Sequence, residues 1–278
     1  MKRILLILLL VCIVNFSPGC SSLFFYPQKQ FVENYLLDQI SYKDVNFKTS
    51  DGLMLHGWYL KAKNESHGTI LFLHGNAENI STHVNNILWL TSEGYNVFAF
   101  DYRGYGRSEG FPSIDGVHLD AEAALETVLR MSQINKGDLF ILGQSLGGAI
   151  ATYTTATSPY KSHIKALIID SAFSDYRRIA REKLAQMIIT WPLQYPLSFL
   201  FNNHYSPAKW IKKVSPVPLL IIHGDIDNIV PPHHGLILFQ EALEPKEYWL
   251  VNNVGHIQAL ALPDIRSRLV DYLQRHSS

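Results

Sequence analysis

Short, unbroken apolar runs alternate along this chain with longer stretches in which apolar residues recur every three or four positions. The runs read as buried strands, and the spaced stretches as helices packed on one face. Residues 45–48 and 53–60 read as two strands around the turn Ser50-Asp51-Gly52. Further predicted strands at 69–73, 95–100, 139–142, 166–169, 218–222 and 247–251 are interleaved with predicted helices at 84–91, 120–131, 148–157, 232–243 and 264–274. Continuous apolar strands separated by helices predict an α/β fold with a mostly parallel eight-stranded sheet and helices on both faces. Right-handed crossovers bring the C-terminal ends of parallel strands to one rim, where open α/β sheets bind ligands. Residues 177–214 break the rhythm: an apolar helix is expected around 184–190, and prolines follow at 192, 196 and 207. That segment predicts a short helical cap inserted over the rim.

Composition narrows the classes. Apolar residues make up 47% and charged residues 17% of the 278, enough apolar material for a sizeable core and against disorder. Lysine plus arginine equals aspartate plus glutamate, 24 against 24, so no basic excess points to nucleic acid. The two cysteines, Cys12 and Cys20, both lie near the N-terminus, which leaves none for a disulfide staple or a cysteine-rich zinc site in the body of the chain.

The N-terminus reads as an address. Lys2 and Arg3 precede an apolar run at residues 4–14, which is too short to cross a bilayer core needing about 20 residues. It suits the hydrophobic region of a signal peptide. The following Ser17-Pro18-Gly19-Cys20 resembles the bacterial lipoprotein box, with Ser17 where that box usually has leucine. The resemblance implies cleavage after residue 19, lipidation of Cys20, and an exported chain held on a membrane surface of the bacterial cell envelope. Ordinary cleavage or an uncleaved anchor is the alternative. Loss of residues 1–19 removes Lys2 and Arg3 and no acid, taking the formal charge from zero to 22 minus 24, or −2.

Gly143-Gln144-Ser145-Leu146-Gly147 follows a predicted strand and opens a predicted helix, and it fits G-x-S-x-G. A sharp strand-to-helix turn would hold Ser145 in a strained conformation and lift its hydroxyl above the sheet. It would also put the Leu146 N–H at a helix N-terminus, where the dipole favours a developing oxyanion. His256 follows the last strand after Gly255 and is the expected base. Asp227, Asp225 and Asp170 all lie just beyond predicted strands and are the candidate acids. Ser145, Asp227 and His256 obey the order serine, acid, histidine; Asp225 is the nearest rival of Asp227, and Asp170, at the end of the predicted strand 166–169, is a second. His233 and His234, as neighbours on a helix, are expected to diverge rather than converge on an ion, and His74 has no ligand spacing. No metal and no cofactor are expected.

The chain resembles the α/β-hydrolase superfamily. The resemblance rests on Asp51-Gly52, His74-Gly75-Asn76-Ala77-Glu78-Asn79, Asp101-Tyr102-Arg103-Gly104-Tyr105-Gly106-Arg107-Ser108, Gly143 to Gly148, His223-Gly224-Asp225-Ile226-Asp227 and Gly255-His256. It is similar to the membrane-associated branch grouped with serine-aminopeptidase-like and monoacylglycerol-lipase-like proteins. The resemblance implies that Asp227, in G-x-x-D-x-x-V-P, orients His256. It implies that the backbone amides of Asn76 and Leu146 form the oxyanion hole. It also implies hydrolysis of (thio)ester bonds in small acyl or lipid-like substrates through an acyl-enzyme. A serine peptidase with the same triad, or a binding module that kept the fold without catalysis, is the alternative.

Overall fold

In the computed structural model of this protein the described residues are 24–37, 40–135, 137–186 and 188–278. The expected signal at 1–19 and Cys20 lie outside them. The apolar runs form strands β1 (Tyr26–Pro27), β2 (Tyr42–Lys48), β3 (Met54–Leu60), β4 (Gly68–Leu73), β5 (Ala77–Glu78), β6 (Tyr95–Phe100), β7 (Asp138–Gln144), β8 (Ile164–Asp170), β9 (Leu219–Gly224) and β10 (Lys246–Val251). Eight of them make one sheet in the order β10-β9-β8-β7-β4-β6-β3-β2, and β1 pairs with β5 in a small separate ribbon. Only the β2–β3 and β3–β6 pairings are antiparallel. The rest of the sheet is parallel.

The central strands are apolar on both faces because both faces are covered. Along β4, Leu71 and Leu73 pack into one core cluster and Ile70 and Phe72 into the other. Along β8, Leu167 and Ile169 alternate with Ala166 and Ile168 in the same way. Period-2 geometry sends neighbouring side chains to opposite faces, so a continuous apolar run fills two cores at once. The register aligns Leu73 with Gly143 and Gln144 with Asp170, which brings the ends of β4, β7 and β8 level at the rim.

The helices are α1 (Ile80–His83), α2 (Ile114–Asn135), α3 (Leu146–Thr157), α4 (Tyr176–Ala185), α5 (Gln194–Ser198), α6 (Pro207–Trp210), α7 (His233–Glu241) and α8 (Pro263–Arg275). Two sequence expectations change. Residues 84–91 are two 3₁₀ turns, Val84–Asn86 and Leu88–Thr91, rather than one α-helix. Asn85 and Asn86 are poor helix formers, and the Trp89 indole takes the Asn86 carbonyl that the amide of residue 90 would need, at 2.9 Å. The cap helix ends at Ala185 rather than running through 184–190. β-branched Ile188, Ile189 and Thr190 disfavour it, and Pro192 disfavours helical geometry at the residue before it. Asp175 starts that helix by accepting the Arg178 N–H at 2.9 Å.

Arg103, mostly buried, is a brace. Its guanidinium donates to Asp120 at 2.8 Å and to Asp51 at 2.8 Å, tying α2 to the turn between β2 and β3.

Candidate active site

Ser145 sits between β7 and α3 at φ 55°, ψ −117°. A non-glycine residue there stores about 1–3 kcal/mol of strain and needs surroundings that enforce it. Two glycines let backbone crowd the turn: a Cβ on Gly147 would lie 2.0 Å from the Leu73 carbonyl oxygen, and one on Gly143 would lie 2.4 Å from the Gly147 oxygen. The Ser145 N–H donates to the Asp170 carbonyl at 2.8 Å, so the turn also hangs on the end of β8.

The loop after β4 lies against this turn, where a Cβ on Gly75 would be 3.8 Å from the Ser145 Cβ. The His74 ring donates from Nδ1 to the Gly75 carbonyl at 2.7 Å. A trans peptide points its N–H opposite its C=O, so this bond also aims the Asn76 amide. The Asn76 carbonyl is held in turn by the Tyr26 N–H at 2.8 Å and the Tyr105 hydroxyl at 2.6 Å. Leu146 is the first residue of α3, and its N–H has no partner within the helix. Burial pushes the His74 imidazole well below its ordinary range, and the nearby His83 adds to this. The ring is therefore neutral and its Nε2 is a bare acceptor, 3.7 Å from Asp101 Oδ1. Burial pushes the Asp101 carboxyl up to about 8, despite the Ile80 N–H that it accepts. At neutral pH it is mostly a neutral acid under the loop.

Of the three candidate acids, one meets the histidine. Asp227 Oδ2 lies 2.7 Å from His256 Nδ1. Its other oxygen accepts the Ile229 and Val230 N–H groups at 2.9 and 2.8 Å. Asp225 instead accepts the Val254 N–H at 3.3 Å. Asp170 accepts from the Gln144 amide at 2.9 Å and is fully buried. Burial pushes the Asp227 carboxyl up, but hydrogen bonds from His223 and His256 and the charge of His256 outweigh it and hold it well below the usual carboxylate range. An ionised carboxylate only accepts, so His256 carries its proton on Nδ1 and leaves Nε2 as the basic nitrogen.

His256 is tied toward the serine turn through the chain. The Ile257 N–H donates to the Ser171 hydroxyl at 3.1 Å, and Ser171 follows Asp170, the residue whose carbonyl holds Ser145. The Ser145 hydroxyl and His256 make no hydrogen bond to each other among the described residues. The structure thus brings Asp227 to His256, and it brings Ser145, Leu146 and Asn76 around one cavity of about 370 Å³. Its walls include Phe24, Phe173, Ile179, Leu184, Phe201 and Val230, so cap and rim both contribute. Among the described residues, Lys183 is the one charged side chain of the lining.

The expected divergence of His233 and His234 is overturned. Their rings stack 4.4 Å apart, and their Nε2 atoms lie 3.1 and 3.0 Å from the two oxygens of Glu182 on α4. At the first turn of α7 both long side chains bend toward the same carboxylate. The trio has the reach of a metal site, but its protons suit a clamp. The Ser174 N–H donates to His234 Nδ1 at 3.1 Å. That nitrogen is bare, so Nε2 holds the proton and donates it to Glu182. A ligating Nε2 would need the proton moved to Nδ1, against a backbone donor. The clamp fastens α4 of the cap to α7.

Sequence reasoning missed the Tyr105 and His74 props under Asn76, although both lie in quoted motifs. It missed Ser171 and Phe201 because nothing local marks them.

A family model described as "Serine aminopeptidase, S33" matches residues 64–205. The Escherichia coli K12 protein YfhR is 34% identical over 280 residues, covering 98% of this chain and 94% of that one. The Arabidopsis thaliana alpha/beta hydrolase domain-containing protein WAV2 is 34% identical over 209 residues, covering 72% of this chain and 67% of its own. Among solved structures, the Pyrococcus furiosus esterase Pf2001 has a TM-score of 0.72 at 22% identity, covering 90% of this chain and 98% of that one. Acetyl xylan esterase 1 from Thermoanaerobacterium has a TM-score of 0.66 at 17% identity, covering 90% and 87%. These structural likenesses show the α/β-hydrolase fold.

Proposed function

The chain belongs to the serine aminopeptidase (S33) family of α/β-hydrolases, and from that premise we propose that it hydrolyses carboxylic ester or thioester bonds of apolar acyl substrates through an acyl-enzyme on Ser145. The observation that carries this reading is Ser145 itself, held at positive φ on the lip of an apolar cavity, beside two candidate oxyanion amides.

In this mechanism the Ser145 hydroxyl attacks the acyl carbonyl while His256 Nε2 takes its proton. Asp227 holds the ring by Nδ1 and stabilises the imidazolium that forms. The Leu146 and Asn76 amides hold the oxyanion, each donor being worth about 3 kcal/mol by analogy with other hydrolases. His256 returns the proton to the departing alcohol or thiol. Water, deprotonated by the same ring, then attacks the acyl-enzyme, releases the acid and restores Ser145.

The cavity favours an acyl chain over the free α-ammonium of an aminopeptidase substrate. An ammonium needs a carboxylate or several acceptors, yet among the described residues the charged group on the wall is the cation Lys183. A lipidated Cys20 would hold the enzyme at a membrane surface, two or more acyl chains being needed for stable attachment.

The test is labelling by a fluorophosphonate and turnover of short-chain p-nitrophenyl esters beside aminoacyl amides. Labelling of Ser145 and preference for esters are expected. An unlabelled Ser145 in folded protein ends the serine-hydrolase reading, and preference for amides ends the esterase one. Lipid labelling that persists after Cys20→Ser would reject the anchor.

A further inference from the structure

The cap carries an apolar surface that the acyl-transfer chemistry does not use. From Leu184 to Asn203 the sequence holds no charged residue. Ile188 and Ile189 are 93% and 83% exposed, and Trp191, Tyr195, Phe199 and Leu200 are each more than half exposed. Large apolar side chains of this size rarely cluster in solvent without something to cover them. Between residues 175 and 213 lie seven lysines and arginines against two acids. Two of those cations edge the patch, Arg177 over the Phe199 ring at 5.4 Å and Arg181 over the Tyr195 ring at 5.2 Å.

The occupant is indicated by where the chain enters. Phe24, the first described residue, packs against Phe201 at 5.1 Å and Tyr176 at 5.2 Å between ring centroids. It therefore starts two residues along the cap from exposed Phe199. Three residues lie between Cys20 and Phe24, so four chain steps join them, a reach of at most about 14 Å. An acylated Cys20 would hold this edge of the cap close to the membrane.

We propose that the cap segment from Ile188 to Leu200 is a bilayer-docking surface, with its aliphatic and aromatic side chains in the interface and its bordering arginines among anionic headgroups. Apolar side chains with aromatics at their margin and snorkelling cations are what an interfacial segment needs. No helix among the described residues is long and apolar enough to cross a membrane, so the contact is peripheral. Leu184 and Phe201, at the two ends of the segment, are also cavity walls. Docking therefore places the cavity mouth beside the lipid, and a bilayer-borne acyl chain reaches Ser145 without crossing water. This last step rests on the proposed hydrolase function; the docking does not.

The test uses the full chain on vesicles of phosphatidylglycerol and phosphatidylcholine with brominated acyl chains. Tryptophan emission is expected to be quenched, and most of the quenching to vanish in Trp191→Phe, a variant too mild to unfold the cap. Ile188→Glu with Ile189→Glu should abolish quenching and lower turnover of vesicle-borne esters at least about tenfold. Its turnover of a soluble short-chain ester should stay within about twofold of the parent, since neither residue lines the cavity. Quenching that Trp191→Phe leaves unchanged overturns the proposal. So does an unquenched patch that holds two copies together, seen as a halved mass in light scattering for the glutamate variant. Absent ester turnover with quenching intact would sink the hydrolase reading and leave the docking surface standing.

Discussion

Asp227→Asn isolates the role of the acid because the surroundings dictate which way the new amide must face. In the parent, one carboxylate oxygen accepts two backbone donors, the Ile229 and Val230 N–H groups, at 2.9 and 2.8 Å. The other accepts from His256 Nδ1 at 2.7 Å. An asparagine cannot turn its NH₂ toward two backbone N–H groups without leaving both unpaired, and for the buried Val230 donor alone that loses about 1–3 kcal/mol. Its oxygen therefore stays with the backbone and its NH₂ faces His256. The imidazole must then accept at Nδ1 and carry its proton on Nε2, where it can no longer take one from Ser145. The fold is kept and the base is switched off. The wrong-tautomer penalty is ~10⁴-fold in kcat in the serine-protease triad, or about 5 kcal/mol of transition-state stabilisation. The assay is p-nitrophenyl ester turnover, with the rate of fluorophosphonate labelling as an independent reading of serine reactivity and thermal unfolding as the control. Both rates should collapse while the unfolding temperature moves little. Asp225→Asn, which disturbs only a 3.3 Å bond to Val254, should stay within about tenfold of the parent. An Asp227→Asn enzyme within tenfold of the parent would refute the tautomer argument, and a larger loss in Asp225→Asn would refute the choice of acid.

Three further outcomes are expected. Ser145→Gly should abolish turnover yet stabilise the fold by about 1 kcal/mol in denaturant titration, because glycine accepts φ 55° without strain. Asp101→Asn should gain most stability at alkaline pH. The folded carboxyl is raised from 3.8 to about 8, so its contribution is whole below pH 4 and is lost as pH rises through 8; an amide has no such loss, and a stability difference that does not grow between pH 5 and pH 9 would contradict the assignment. Glu182→Gln should loosen the cap by about 1–2 kcal/mol, read as faster amide exchange in α4. Burial pushes the Glu182 carboxyl up, but the hydrogen bond and charge of His234 outweigh it and lower it, so the parent's advantage holds above the ordinary carboxylate range and fades as pH falls below it; equal exchange at neutral pH would show the clamp to be idle.

Much of this protein was legible along the chain because the relevant physics is local. Alternating apolar runs and helical spacing determined the eight strands and the layering, since burial on both faces demands consecutive apolar residues through the middle of β4, β7 and β8. The strain at Ser145 follows from five consecutive residues, two of them glycines that leave room for neighbouring backbone. What needed the tertiary structure was every pairing across the rim. Asp225 and Asp227 are two residues apart, and only the turn motif favours Asp227 in sequence; that it is Asp227 that meets His256, 29 residues on, depends on how the β9 and β10 loops lean on each other. His233 and His234 were expected to diverge, and a carboxylate from another element, α4, draws them together. The cap helix stops where β-branched residues and proline outweigh apolar spacing, which exposes the very segment that a periodicity reading would have buried. Side-chain pattern decides which residues leave water. The order and register of the strands decide which of them meet, because contacts between distant segments depend on the whole set of packed elements and not on any stretch of sequence alone.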